Sequence, residues 1–153
     1  MPSCFLMGNR NAPENLEKTV LSVMESHIRD YGVDTFIVGH YGNFDRLSYL
    51  AGKRLKESFP FIKVYRLTPY PFNKSLKQRD DEKGDGWYFP ATMKPIPSAY
   101  AIVQANRCVI NEVTHLILYI GDSVSNTRNM LEYAKKRVER GLLHLTVIPC
   151  EPT

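Results

Sequence analysis

The chain has 153 residues, 43% of them hydrophobic and 24% charged, with a formal net charge of +4. This ordinary globular balance argues against wholesale disorder and makes one domain with a continuous core the simplest organisation. No run approaches the ~18 apolar residues of a membrane span, the start MPSCFLMGNR lacks the features of a signal peptide, and interleaved charges give a pI of about 9.0 without a basic face for nucleic acid.

SCFLM (3–7), ending at Gly8, reads as a buried strand. In NRNAPENLEKTVLSVMESHIRDYG, residues Leu16, Val20, Val23, Met24, His27, Ile28 and Tyr31 recur at helical spacing and predict one apolar face. Asn11 with Glu14 reads as a capping pair, Pro13 as a first-turn residue and Gly32 as the stop. DTFIVG predicts the second strand and FIKVYRL the third. Between them NFDRLSYLAGKRLKESF predicts a helix with Phe44, Leu47, Leu50, Ala51 and Leu55 inward.

Residues 68–97 break this rhythm with five prolines, two glycines and a charge cluster, and predict a long loop or irregular insertion. Tyr70, Trp87, Tyr88 and Phe89 gather there, as rings that stack on a base or, as the plainer reading has it, pin the loop. SAYAIVQANRCVINEV then predicts a helix and THLILYIG a strand. SNTRNMLEYAKKRVERG predicts a helix with Met130, Leu131, Ala134 and Val138 on one side, and LLHLTVIP the last strand. Strands apolar on both faces, alternating with helices, predict an α/β Rossmann-like three-layer sandwich: a mainly parallel sheet of about five strands with helices on both faces. Cys4, Cys108 and Cys150 are scattered, without disulfide or zinc spacing, and suggest reduced thiols in a cytoplasmic protein. No pair of His27, His40, His115 and His144 is spaced as a metal site, so no metal is expected.

In such sheets ligands bind beyond the carboxyl ends of the strands, where strand order reverses. The turns there are GNRN (8–11), GHYGNFD (39–45), TPYPF (68–72) and GDSVSNT (121–127), all small, polar or glycine-containing. A helix N-terminus exposes unpaired N–H groups to a phosphate if the backbone can be approached. Gly39 and Gly42 permit that approach, Ser123, Ser125, Asn126 and Thr127 offer polar side chains, and Arg10 offers a bidentate contact. His40 is the residue there that titrates near neutral pH. Singly, each turn is also explained by backbone geometry and helix capping, Asp45 included. Neither G-x-G-x-x-G nor G-x-x-x-x-G-K-[ST] occurs.

In order and spacing these elements resemble the SLOG superfamily, which groups DprA, the Lonely Guy phosphoribohydrolases and the small YpsA-like proteins, and the YpsA-like branch above all. GNR (8–10) matches that branch's G-H-R turn, with Asn9 in place of His. GHYGNFD matches G-G-A-x-G-F-D, keeping Gly39, Gly42 and Asp45 with His40 in place of the second glycine. LTPYPF, with Pro69, matches a strand ending in a Pro-containing turn, and ANR (105–107) matches an R-N-R helical element. SNT (125–127) matches the G-G-T turn, with Ser125 and Asn126 in place of its glycines. The resemblance runs along essentially the whole chain and implies a Rossmann-like domain, a homodimer, and a nucleotide or ADP-ribose-like ligand at the strand ends. The binding residues it implies are Gly8, Asn9, Arg10, Gly39, His40, Gly42, Asn43, Asp45, Pro69, Arg107, Gly121, Ser123, Ser125, Asn126 and Thr127.

Three functions follow from that reading. The first is a binding protein or sensor for a nucleotide. The second is a Lonely Guy-like hydrolase of a nucleotide N-glycosidic bond. That family's P-G-G-x-G-T-x-x-E turn would place its Glu at Met130, and Glu132 lies about 200° further round the helix. Asp45 and Asp122 are then the candidate carboxylates. The third is a non-catalytic protein-interaction domain.

Overall fold

A strand that is apolar on both faces must be covered on both, and the covering layers fix where its ends open. The computed structural model describes residues 2–69, 84–121 and 126–148, apart from the side chains of residues 98 and 126. β1 (Ser3–Gly8) buries its four central residues, β2 (Thr35–Val38) its last three and β5 (His115–Tyr119) its last four. With β3 (Lys63–Leu67), β4 (Trp87–Tyr88) and β6 (His144–Ile148) they form one sheet in the order β4-β3-β2-β1-β5-β6. Every pairing between these strands is parallel, and Phe5 stands between Ile37 and Leu116.

Four α-helices among the described residues cover the sheet. α1 (Glu17–Tyr31) and α2 (Asn43–Ser58) place Val20, Met24, Phe44, Leu47 and Ala51 against Cys4, Leu6, Phe36 and Val64 on one face. α3 (Ser98–Glu112) and α4 (Asn126–Glu139) place Ala105, Val109, Met130 and Ala134 against Phe5, Met7, Leu116 and Leu118 on the other. The result is the three-layer, Rossmann-like sandwich that the alternating pattern predicts.

Two local features differ from the sequence expectation. The sheet has six strands, because Trp87–Tyr88 pairs with Arg66–Leu67 inside the segment expected to be irregular. A two-residue strand has no period to read, and Gly84, Gly86 and Pro90 around it mask the signal. It is anchored from outside: Lys56 Nζ lies 2.6 Å from Asp85 Oδ1, and Asp85 Oδ2 accepts the Val64 N–H at 2.7 Å. The rest of that segment's expected behaviour, Tyr70 included, falls on residues 70–83, outside the described residues. At the start of α1, Asn11 and Glu14 form no capping pair. A 3-10 turn (Glu14–Leu16) follows Pro13 without a side-chain cap, and Glu14 turns to the Arg46 guanidinium on α2.

Burial separates centre from edge. Ile117 on β5 is fully buried, whereas Val147 on edge strand β6 is 40% exposed. Ile117→Ala should cost about 2–5 kcal/mol in urea unfolding. Val147→Ala should cost about 1 kcal/mol or less. Equal losses would contradict the sheet order.

Candidate functional site

From β1 the chain moves outward to β2 and β3 over one face of the sheet, then returns over the other face through α3 to reach β5 on β1's far side. Strand order therefore reverses at β1, and the turns leaving β1 and β5 diverge. A cavity of about 370 Å³ lies at that end of the sheet. Its polar rim comes from the turn after β1, the turn after β2, the first turn of α2 and the start of α4, while β1, β3 and α3 supply an apolar wall.

Eight of the residues expected from the sequence line this cavity directly: Gly8, Asn9, Arg10, Gly39, His40, Asp45, Pro69 and Thr127. Asn9 and Thr127 are each only 4% exposed. Gly42 and Asn43 stand behind the rim and brace it. Gly42 has φ 108°, and a Cβ there would lie 2.7 Å from the Arg10 Cα. The Asn43 N–H donates to the Arg10 carbonyl at 2.8 Å, and its side-chain amide to the Ala12 carbonyl at 2.6 Å. Gly121 packs against the Asn9 amide, where a Cβ would collide with Nδ2. Arg107 does not line the cavity. It is exposed on α3, with its guanidinium 5.4 Å from the Tyr133 ring centroid. Asn126 is the first residue of α4, and Ser123, Ser125 and Asp122 lie outside the described residues.

The electrostatics centre on Asp45. It is the third residue of α2, and its carboxyl turns back to accept the Tyr41 N–H at 2.9 Å. That contact explains Gly39, because a side chain there would occupy the space of the Asp45 carboxyl. Burial pushes the Asp45 pKa up to about 7, against the opposing pull of the Tyr41 N–H and the positive charges of Arg66 and Arg10. Arg66 is held in place by donating its Nε–H to the Gly39 carbonyl at 3.0 Å and lying 4.4 Å over the Tyr49 ring. The His40 ring meets Trp87 edge-on at 5.0 Å and Tyr41 at 5.4 Å, so the short strand β4 supports the rim. Arg10 makes no ion pair among the described residues and stands at the rim as an available cation.

The polar half of the cavity was visible in the glycine-rich turns; the apolar half was not. Phe5, Met7, Leu67, Ile102, Val103 and Ala105 line it, with Asn106 beside them on α3. The one signal was the breadth of apolar residues on α3, which a buried helix shows equally well. At the opposite end of β5 and β6, the His27 ring centroid lies 5.7 Å from His115 and 6.1 Å from His144. No group of three His, Cys, Asp or Glu among the described residues could hold a metal.

Fold and cavity together define a parallel α/β protein with a ligand-sized cavity at its topological switch point. No protein-family model matches the chain, and no curated protein is similar enough to match it.

The raised Asp45 pKa has a stability consequence of definite sign. Between the ordinary value of 3.8 and about 7, the folded protein holds a proton that the unfolded chain has lost. The contribution of Asp45 to stability should therefore be fully present below pH 4, fall as pH rises towards 7, and be lost above it. Asp45→Asn keeps an acceptor for the Tyr41 N–H and removes this titration. Relative to wild type it should gain on the order of 4 kcal/mol between pH 4 and pH 8, read from urea unfolding at each pH. A pH-independent difference between the two proteins would refute the assignment.

Proposed function

We propose that this protein binds a nucleotide or nucleotide derivative, such as an ADP-ribose-like molecule, in the cavity beyond β1, β2 and β5. The observation that carries the proposal is the convergence on one cavity of an available guanidinium, Arg10, with the start of α4 at Thr127 and the small turns after β1 and β2. Anions are favoured at helix starts and by arginine's planar fork, and phosphate suits both. An apolar wall on the same cavity suits the rest of such a ligand. The turns concerned are those that carry the SLOG resemblance, and the binding or sensing role, the cytoplasmic setting and the homodimer are proposed with it.

One observation favours hydrolysis as a second reading. Asp45 is the single carboxyl lining the cavity among the described residues, and its pKa near 7 suits proton transfer at neutral pH. In that reading Asp45 would donate a proton to the departing base of an N-glycosidic bond, leaving the ribosyl cation to water.

A thermal-shift screen against mono-, di- and cyclic nucleotides, ADP-ribose and NAD, with product analysis of each hit, tests both. Binding to the native state alone raises Tm by mass action. Arg10→Ala should weaken the best hit about ten- to a hundredfold, the loss of one charge-assisted contact. Intact ligand after incubation selects the binding protein, and released base selects the hydrolase. The absence of any shift would sink both and leave a domain that acts through protein contacts.

A further inference from the structure

The cavity is chemically two-sided, and this bears on what kind of nucleotide it takes; the inference rests on the nucleotide reading above. On the sheet side, Phe5, Met7 and Leu67 form a wall. Facing them, α3 contributes Ile102, Val103 and Asn106 along one helical turn, about 6 Å of wall. The space between is an apolar slot opening onto the polar rim of Arg10 and Thr127.

Asn106 is the exception in that slot. It is the one residue with a polar side chain among those α3 presents to the cavity, it is half-buried, and its amide makes no hydrogen bond among the described residues. Other asparagines here have found partners: Asn43 donates to the Ala12 carbonyl, and Asn111 accepts from the Tyr133 hydroxyl. A carboxamide carries a donor and an acceptor side by side in one plane. The edge of a nucleobase presents the same pair in complementary order, as in the bidentate pairing of Asn with adenine. Apolar walls suit the faces of a base, and an amide at the margin suits its edge.

Size points the same way. A cavity of about 370 Å³ lies at the small end of the ~300–1,000 Å³ span of ligand sites, which suits one base with its ribose phosphate. We infer that the slot between α3 and the sheet is a nucleobase site, that Asn106 sets base specificity by bonding the base edge, and that the ligand is a single-base nucleotide. The phosphate of that ligand points to Arg10 and the start of α4. Asn106 thus acts in binding, by choosing among bases.

Calorimetric titration of the full chain tests this, using the four ribonucleoside 5′-monophosphates, ribose 5-phosphate as the probe without a base, and NAD as the probe with two nucleosides. At least one monophosphate should bind tenfold or more tightly than ribose 5-phosphate, and NAD more weakly than that monophosphate. Asn106→Ala should weaken the preferred monophosphate about tenfold, compress the ranking of the four, and leave ribose 5-phosphate unchanged. Asn106→Asp keeps the shape but removes the donor, and should also lose the ranking. Ile102→Trp fills the slot, and should abolish the advantage of nucleotide over ribose 5-phosphate in a protein whose circular dichroism is unaltered. Monophosphates that bind no better than ribose 5-phosphate, or a ranking that survives both Asn106 variants, would overturn the base site. If Arg10→Ala still weakens binding in that case, the nucleotide reading survives. Tighter binding of NAD would overturn the single-base ligand. No binding by any nucleotide would overturn the inference together with the reading beneath it.

Discussion

β1 must be covered on both faces and paired on both edges, and the rest of the molecule follows from that requirement. Cys4, Phe5, Leu6 and Met7 are all buried, with alternate side chains assigned to opposite layers. A parallel neighbour on each edge can be reached only by crossovers that leave β1 in different directions. The chain goes out through α1 and α2 on one face and returns through α3 on the other. The reversal at β1 parts the turns at the carboxyl end of the sheet. The cavity is thus a topological consequence of burying one strand completely, and the polar turns decorate an opening the core has already made.

The polar rim is rigid because its parts restrain one another. Gly42 admits the Arg10 backbone, Asn43 bonds the Arg10 carbonyl, and Asp45 ties the Tyr41 N–H while resting on Gly39. Arg66 reaches across from β3 to the Gly39 carbonyl. This close packing excludes water from the Asp45 carboxyl, and the lost solvation outweighs the favourable charges nearby. A group that serves the local structure as a link to the start of α2 therefore also becomes proton-active near neutrality, inside the cavity.

In the nucleotide reading proposed above, the two walls would divide the work of recognition. Arg10 and the start of α4 at the rim would attract an anion over distance, with little preference for what the anion is attached to. The slot under α3 would discriminate at contact range, through shape and a single amide. Trp87 supports the rim, because its edge-on contact with His40 couples it to the edge strand β4. The Lys56–Asp85 pair in turn secures the approach to that strand from α2.

The sequence by itself determined the layers. Period-3.6 patterns such as Leu16, Val20, Met24 and Ile28, set against unbroken apolar runs such as Phe36–Val38, leave only helix-covered parallel strands as a consistent solution. It also determined the polar rim, since glycines and small polar residues after each strand mark backbone that must be approached or capped. Only the tertiary structure decided the rest. β4 exists because β3 offers it an edge, and two residues cannot signal that in advance. Arg107 and Asn106 are neighbours in a helix, and the family resemblance singled out the charged one. Packing turned Arg107 onto Tyr133 and Asn106 towards the cavity. The apolar wall was illegible for a deeper reason: Phe5 and Met7 look the same in sequence whether they meet α3 or the space beside it. Hydrophobic periodicity reports which face of an element is inward, and where the inward faces fail to close is a property of the assembled layers alone.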